Sequence, residues 1–98
     1  MSAYLIAQVN IVNEEPYKEY VKKTTPLVEK YEGKFIVRGG KFEKLLGEWN
    51  YERTVIIEFP SYNHLMNWYA SDEYKPVREI REKNSLGNVI AIEGTWVI

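Results

Sequence analysis

The chain has 98 residues, 45% hydrophobic and 14% aromatic, enough for a single domain spanning residues 1–98 with a small core that gains from surface buried between subunits. Thirteen basic residues against fourteen acidic ones leave a formal net charge of -1, without the basic excess that phosphate backbones demand, which argues against nucleic acid as a partner. There is no cysteine, no N-terminal apolar h-region and no apolar run of bilayer length, so disulfides, thiolate chemistry, secretion and membrane insertion are not indicated, and a cytoplasmic protein is expected.

The first element reads as a strand from Ala3 to Ile11. Leu5, Ala7, Val9 and Ile11 fall on one face and Tyr4, Ile6, Gln8 and Asn10 on the other. Asn13 is placed to cap a helix whose first turn holds Glu14, Glu15 and a tolerated Pro16. Tyr17, Tyr20, Val21, Thr24, Val28 and Tyr31 recur at helical spacing, and Gly33 is expected to end the helix in a left-handed conformation. Pro26 lies inside this pattern and predicts either a kink near Thr24 or a restart with Thr25 as a second cap.

Lys34 to Arg38 forms the second strand, with a bulge or sharp bend expected at Gly39-Gly40. Lys41 to Leu46 extends it as an arm carrying Phe42 and Leu45, and residues Gly47 to Glu52 turn the chain back. A turn centred near Asn50 sets Phe42 opposite Glu58 and Arg38 near Tyr62, a register that a bulge at the glycines would shift. Strand three, Thr54 to Phe59, divides into Val55, Ile57 and Phe59 against Thr54, Ile56 and Glu58, and Pro60 ends it. Ser61 caps a helix carrying Leu65, Met66, Trp68 and Tyr69. Ser71-Asp72-Glu73 starts another, carrying Tyr74, Val77 and Ile80, with Pro76 delaying its regular start. The last strand runs from Asn88 to Glu93 with a tail through Ile98.

The order βαββαβ predicts an α+β fold, a ferredoxin-like sandwich with an antiparallel sheet and helices on one face. The wholly apolar set Leu5, Val9, Phe35, Val37, Val55, Ile57, Ile90 and Ile92 is assigned to the face beneath the helices. Tyr4, Ile6, Gln8, Ile36, Arg38, Ile56, Glu58, Ala91 and Glu93 are assigned to the other. That second face is too apolar for water, and pairing it with the same face of a second copy predicts a twofold homodimer with a cavity beside the sheet.

Four segments carry a family likeness: Phe35-Ile-Val-Arg-Gly-Gly40, Gly47-Glu48-Trp49, Glu58-Phe-Pro-Ser61 and Trp68-Tyr-Ala-Ser-Asp-Glu-Tyr74. Taken in order, they resemble the family catalogued as domain of unknown function 1330, and the likeness covers nearly the whole chain. The resemblance implies the dimeric α/β-barrel superfamily and hence a dimer. It does not supply a reaction, since that superfamily includes cofactor-free monooxygenases, muconolactone isomerases and haem-dependent enzymes.

Arg38 is a candidate clamp for a carboxylate or enolate, or else the partner of Glu58 or Glu48 in a buried ion pair or a contact across the dimer. Gly39 and Gly40 beside it would let a ligand approach the backbone. Glu58 is a candidate general base, and His64, the only histidine, a candidate proton shuttle or haem ligand; an ion pair and a solvated surface position are their structural alternatives. Trp49, Tyr62, Trp68 and Tyr69 are placed either to wall an aromatic pocket or to pack a core or interface. There is no dinucleotide or phosphate-loop glycine pattern, no paired His or Cys for a metal and no G-x-S-x-G serine, so no cofactor and no metal are expected. Three readings remain: a cofactor-free oxygenase- or isomerase-like enzyme acting on a small anionic or aromatic molecule, a non-catalytic dimer binding such a ligand, and an interaction protein.

Overall fold

The computed structural model describes residues 1–95 and arranges them as β1 (Ala3–Ile11), α1 (Glu14–Lys30), β2 (Lys34–Arg38), β3 (Arg53–Phe59), α2 (Tyr62–Tyr69), α3 (Tyr74–Asn84) and β4 (Ser85–Glu93). Residues 96–98, the end of the predicted tail, lie outside the described residues. The strands form one sheet in the order β2-β3-β1-β4 with every neighbouring pair antiparallel, which is the ferredoxin-like arrangement expected from the element order. With helices on one face only, the body is 39 × 38 Å across but 17 Å thick.

Helix α1 runs through Pro26 as one element. Thr25, predicted as a second cap, instead donates its hydroxyl to the Val21 carbonyl one turn back at 2.8 Å. The left-handed position at its end falls on Glu32 (φ 65°), not on Gly33 as predicted. The Glu32 amide donates to the Glu29 carbonyl at 3.0 Å and the Gly33 amide to Val28 at 2.8 Å, the paired bonds of a Schellman motif. Gly33 is required for space, because a Cβ there would lie 2.7 Å from Phe59 Cε1 and from Val28 Cγ1. Asn13 precedes α1 in extended conformation, but its amide donates to Asn84 Oδ1 at 3.0 Å instead of capping the helix by its side chain. Ser61 does cap α2, its Oγ accepting from the His64 amide at 3.1 Å, and Ser71 Oγ accepts from the Tyr74 amide at 3.2 Å where α3 begins.

The core sits between the helices and the faces of β1 and β3 that carry Leu5, Ala7, Val9, Val55, Ile57 and Phe59, as the period-two reading of those strands predicts. Two other face assignments are overturned. In β4, Ile90 stands opposite Ile6 and Ile92 opposite Tyr4, so both isoleucines lie on the open face while Val89 and Ala91 turn to the helices. The strand leaves α3 directly at Ser85 and keeps an unbroken register with β1, so its parity follows from Ile11 pairing with Ser85 and not from its own apolar pattern. In β2 an extra residue at Ile36 breaks the ladder: Phe35 pairs with Ile57, but Val37 pairs with Ile56. Beyond that bulge the faces invert, which sends Val37 to the open face and Arg38, opposite Val55, to the helix side. The register built on a turn near Asn50 fails because β2 ends at Arg38 and the arm does not pair with β3, which leaves Lys34 and not Phe42 opposite Glu58. The arm is irregular from Gly40 to Tyr51, with Leu45 91% and Leu46 92% exposed.

Candidate functional site

The bulge in β2 changes where a site can lie, because it separates the two charges that the sequence placed on one face. Arg38 now looks toward α1, while Glu58 faces the other way and accepts a hydrogen bond from the Tyr4 hydroxyl at 3.0 Å. That bond to the carboxylate raises the Tyr4 phenol above its ordinary value. No Arg38–Glu58 pair forms.

On the helix side a cleft opens between α1 and the sheet, with an internal void of about 30 Å³. Its roof is the predicted buried stripe of α1, Tyr17, Tyr20, Val21 and Thr24, and its floor is largely aliphatic, with Leu5, Val9, Val55 and Ile57. Three arginines reach it: Arg38 from β2, Arg53 from β3 and Arg81 from α3. No Asp, Glu or His lines it. Among the described residues, no ion pair within 4.0 Å includes any of the three.

Each arginine is held differently. Arg38 lies with its guanidinium carbon 4.0 Å from the Phe35 ring centroid and donates from Nη2 to Thr25 Oγ1 at 2.6 Å. Arg53 lies against Gly39, whose φ of 68° folds the chain over it; a Cβ at Gly39 would collide with the Arg53 guanidinium. Arg81 is 7% exposed and donates to the hydroxyls of Tyr74 at 3.3 Å and Tyr69 at 3.2 Å. Burial works against its charged form, but the oxygens of Tyr74, Tyr20 and Tyr69 outweigh that and favour the cation. The Tyr20 and Tyr74 hydroxyls share a 2.7 Å hydrogen bond, and burial first, then Tyr20, pushes the Tyr74 phenol far above its ordinary value. Burial also raises the Tyr17 phenol, with Arg53 and Arg81 opposing it. Two polar atoms beside the void, Thr24 Oγ1 and Arg53 Nε, are shut off from solvent without a hydrogen-bond partner in the protein.

The other predicted residues are dispersed. His64 sits at the surface between helix ends, its Nδ1 2.6 Å from Ser61 Oγ and its Nε2 3.0 Å from Glu32 Oε2. Trp49 packs at a tilt against Phe42 on the arm, their ring centroids 6.4 Å apart, and the arm with Gly40, Val37 and Thr54 encloses a separate open hollow. Tyr62 lines a groove between α2 and β4. Trp68 is 0% exposed and stacks in the core on Tyr74 at 4.2 Å and Phe59 at 5.4 Å. Among the described residues, no group of three or more His, Cys, Asp or Glu is placed to hold a metal ion. Sequence reasoning did not count Arg53 or Arg81 among the candidate site residues. Both were visible in principle: Arg53 shares the parity of Val55 and Ile57, and Arg81 continues the spacing of Tyr74 and Val77.

The profile of the family described as Domain of unknown function (DUF1330) matches residues 2–95. The chain belongs to this family. No curated protein matches it. The DUF1330 chain is similar in fold to a solved protein of unknown function from Rhodopseudomonas palustris, with a TM-score of 0.78, 15% identity and coverage of 98% of this chain and 84% of that one. It is similar also to an Arabidopsis thaliana protein solved as hypothetical, with a TM-score of 0.69, 18% identity and coverage of 98% and 90%. A cofactor-independent oxygenase from Streptomyces nogalater shares the fold at a TM-score of 0.56 and 9% identity, over 99% of this chain and 96% of that one. At these identities the likeness is one of fold alone.

Proposed function

We propose that this DUF1330 protein is a homodimer that binds a small organic molecule in the cleft beneath α1 and stabilises negative charge on it. The observation that carries this reading is the lining of the cleft: three guanidinium groups without an acidic partner beside an apolar floor, in a chain whose formal net charge is -1. Such a cavity favours the anionic form of whatever enters it, since a fixed cation is worth more in a water-poor pocket than in solvent. Fold likeness to an oxygenase that works without a cofactor supports the catalytic version, in which the ligand's own anion reacts. The absence of Asp, Glu and His from the lining favours the non-catalytic version, because the only ionisable side chains there besides the arginines are the two tyrosines.

The dimer is supported by the open face of the sheet. Ile6, Val37, Ile56, Ile90 and Ile92 lie there around Tyr4, Gln8 and Glu58, and the hollow under the arm borders the same face through Val37 and Thr54. Self-pairing would bury this surface together with Leu45 and Leu46.

A fragment titration followed by methyl and amide NMR tests the cleft. Saturable shifts are expected at Thr24, Val55 and Phe35. Shifts confined to the open-face residues Ile6 and Ile56 would move the ligand site to the other side of the sheet and refute this reading.

A further inference from the structure

We propose that Arg38 and Arg53 form a paired clamp for the carboxylate of a small organic acid, an assignment that rests on the cleft reading above and narrows it to one ligand class. The Ile36 bulge places Arg38 opposite Val55, so Arg53, two residues along β3, becomes its diagonal neighbour on the helix face, roughly 7–8 Å away. Like charges across a strand pair repel, and neither arginine has a carboxylate within 4.0 Å among the described residues. The backbone is nevertheless shaped to keep Arg53 in place, since Gly39 adopts a left-handed φ and leaves open the space that the guanidinium fills.

A second observation points to a ligand independently. Thr24 is 3% exposed and lines the cleft, and its hydroxyl has no hydrogen-bond partner in the protein. Arg53 Nε is in the same condition. A carboxylate can accept from both guanidinium forks and from the Thr24 hydroxyl together, because each of its oxygens has two acceptor directions. The void of about 30 Å³ corresponds to roughly two water positions at 10–15 Å³ each, which suits the two oxygens of a carboxylate better than the bulkier phosphate group. The acid's hydrocarbon part then extends out of the void along the open side of the cleft, past the partly buried Phe35.

The test titrates the full chain with benzoate, benzamide and phenyl phosphate, reading amide shifts by NMR for the wild type, Arg38→Gln, Arg53→Gln and Gly39→Ala. Benzoate is expected to shift Thr24 and Val55 saturably, to bind at least tenfold more tightly than benzamide and to bind no less tightly than phenyl phosphate. Each arginine variant should weaken benzoate tenfold or more and leave benzamide unchanged. Gly39→Ala, which keeps both charges but displaces the Arg53 guanidinium, should weaken benzoate as Arg53→Gln does. Unliganded Arg53→Gln should melt higher than the wild type as the repulsion is relieved. Equal binding of benzoate and benzamide, or unchanged benzoate affinity in folded arginine variants, with shifts still in the cleft, overturns the clamp and leaves the cleft reading standing. Phenyl phosphate binding more tightly than benzoate overturns the carboxylate assignment. Cleft resonances unmoved by all three probes overturn the cleft reading and the clamp together.

Discussion

Thr24→Val separates a binding hydroxyl from ordinary helix packing. The change replaces an OH by a methyl of similar volume at a position 3% exposed, and both residues are β-branched, so helix propensity changes little. A buried hydroxyl without a partner carries a desolvation cost of about 1–3 kcal/mol, which the apolar replacement removes. The variant is therefore expected to be more stable in the absence of ligand by about 1 kcal/mol or more. Each kcal/mol corresponds to a Tm increase of about 4–8 °C in a chain of this size. In the same variant, affinity for a cleft ligand should fall about tenfold, the equivalent of one hydrogen bond of about 1.4 kcal/mol. Urea unfolding of the two proteins measures the first effect, with equal m-values confirming that the denatured states are comparable, and a benzoate titration measures the second. A midpoint lowered at unchanged m would show that the hydroxyl has a partner in solution and would refute the reasoning.

Ile90→Asp should yield a folded monomer by sedimentation equilibrium, whereas Val89→Asp, which turns a charge toward the helices, should unfold the chain; a monomer from neither change would contradict the face assigned to dimerisation. Gly33→Ala should cost about 1–3 kcal/mol by overpacking against Phe59 and Val28, read from chemical denaturation, and a neutral result would mean that this contact relaxes freely. Tyr74→Phe leaves Tyr20 and Arg81 each short of a bond in a buried setting and should cost about 1–3 kcal/mol, with Tyr20→Phe adding less than its single effect in the double variant. The bond from Lys30, and then that from Tyr31, holds the Glu73 carboxyl below its ordinary 4.5, so its contribution is present above that value and is lost as pH falls through the depressed one. The Tm gap between the wild type and Glu73→Gln should accordingly close on acidification below pH 4.5, and a gap that widens there would reverse the sign.

The sequence by itself determined the element order, the caps at Ser61 and Ser71, the apolar faces of β1 and β3 and the buried stripe of α1. Each of these is written locally, in a period of two or 3.6 or in a side chain bonding an amide three residues away. It also marked the second sheet face as partly apolar through Ile6 and Ile56, but it placed Val37, Ile90 and Ile92, which lie on that face, beneath the helices. Tertiary structure decided the parity of β4 and of the end of β2. A strand with apolar residues on both faces does not specify its own register, and one extra residue at Ile36, set by pairing with β3, reverses every side chain beyond it. The same reversal decided the site. Arg38 was legible as an odd charge in a strand, but its separation from Glu58 and its meeting with Thr24, Arg53 and Arg81 depend on β2, α1, β3 and α3 closing on one another, and no stretch of sequence contains all four.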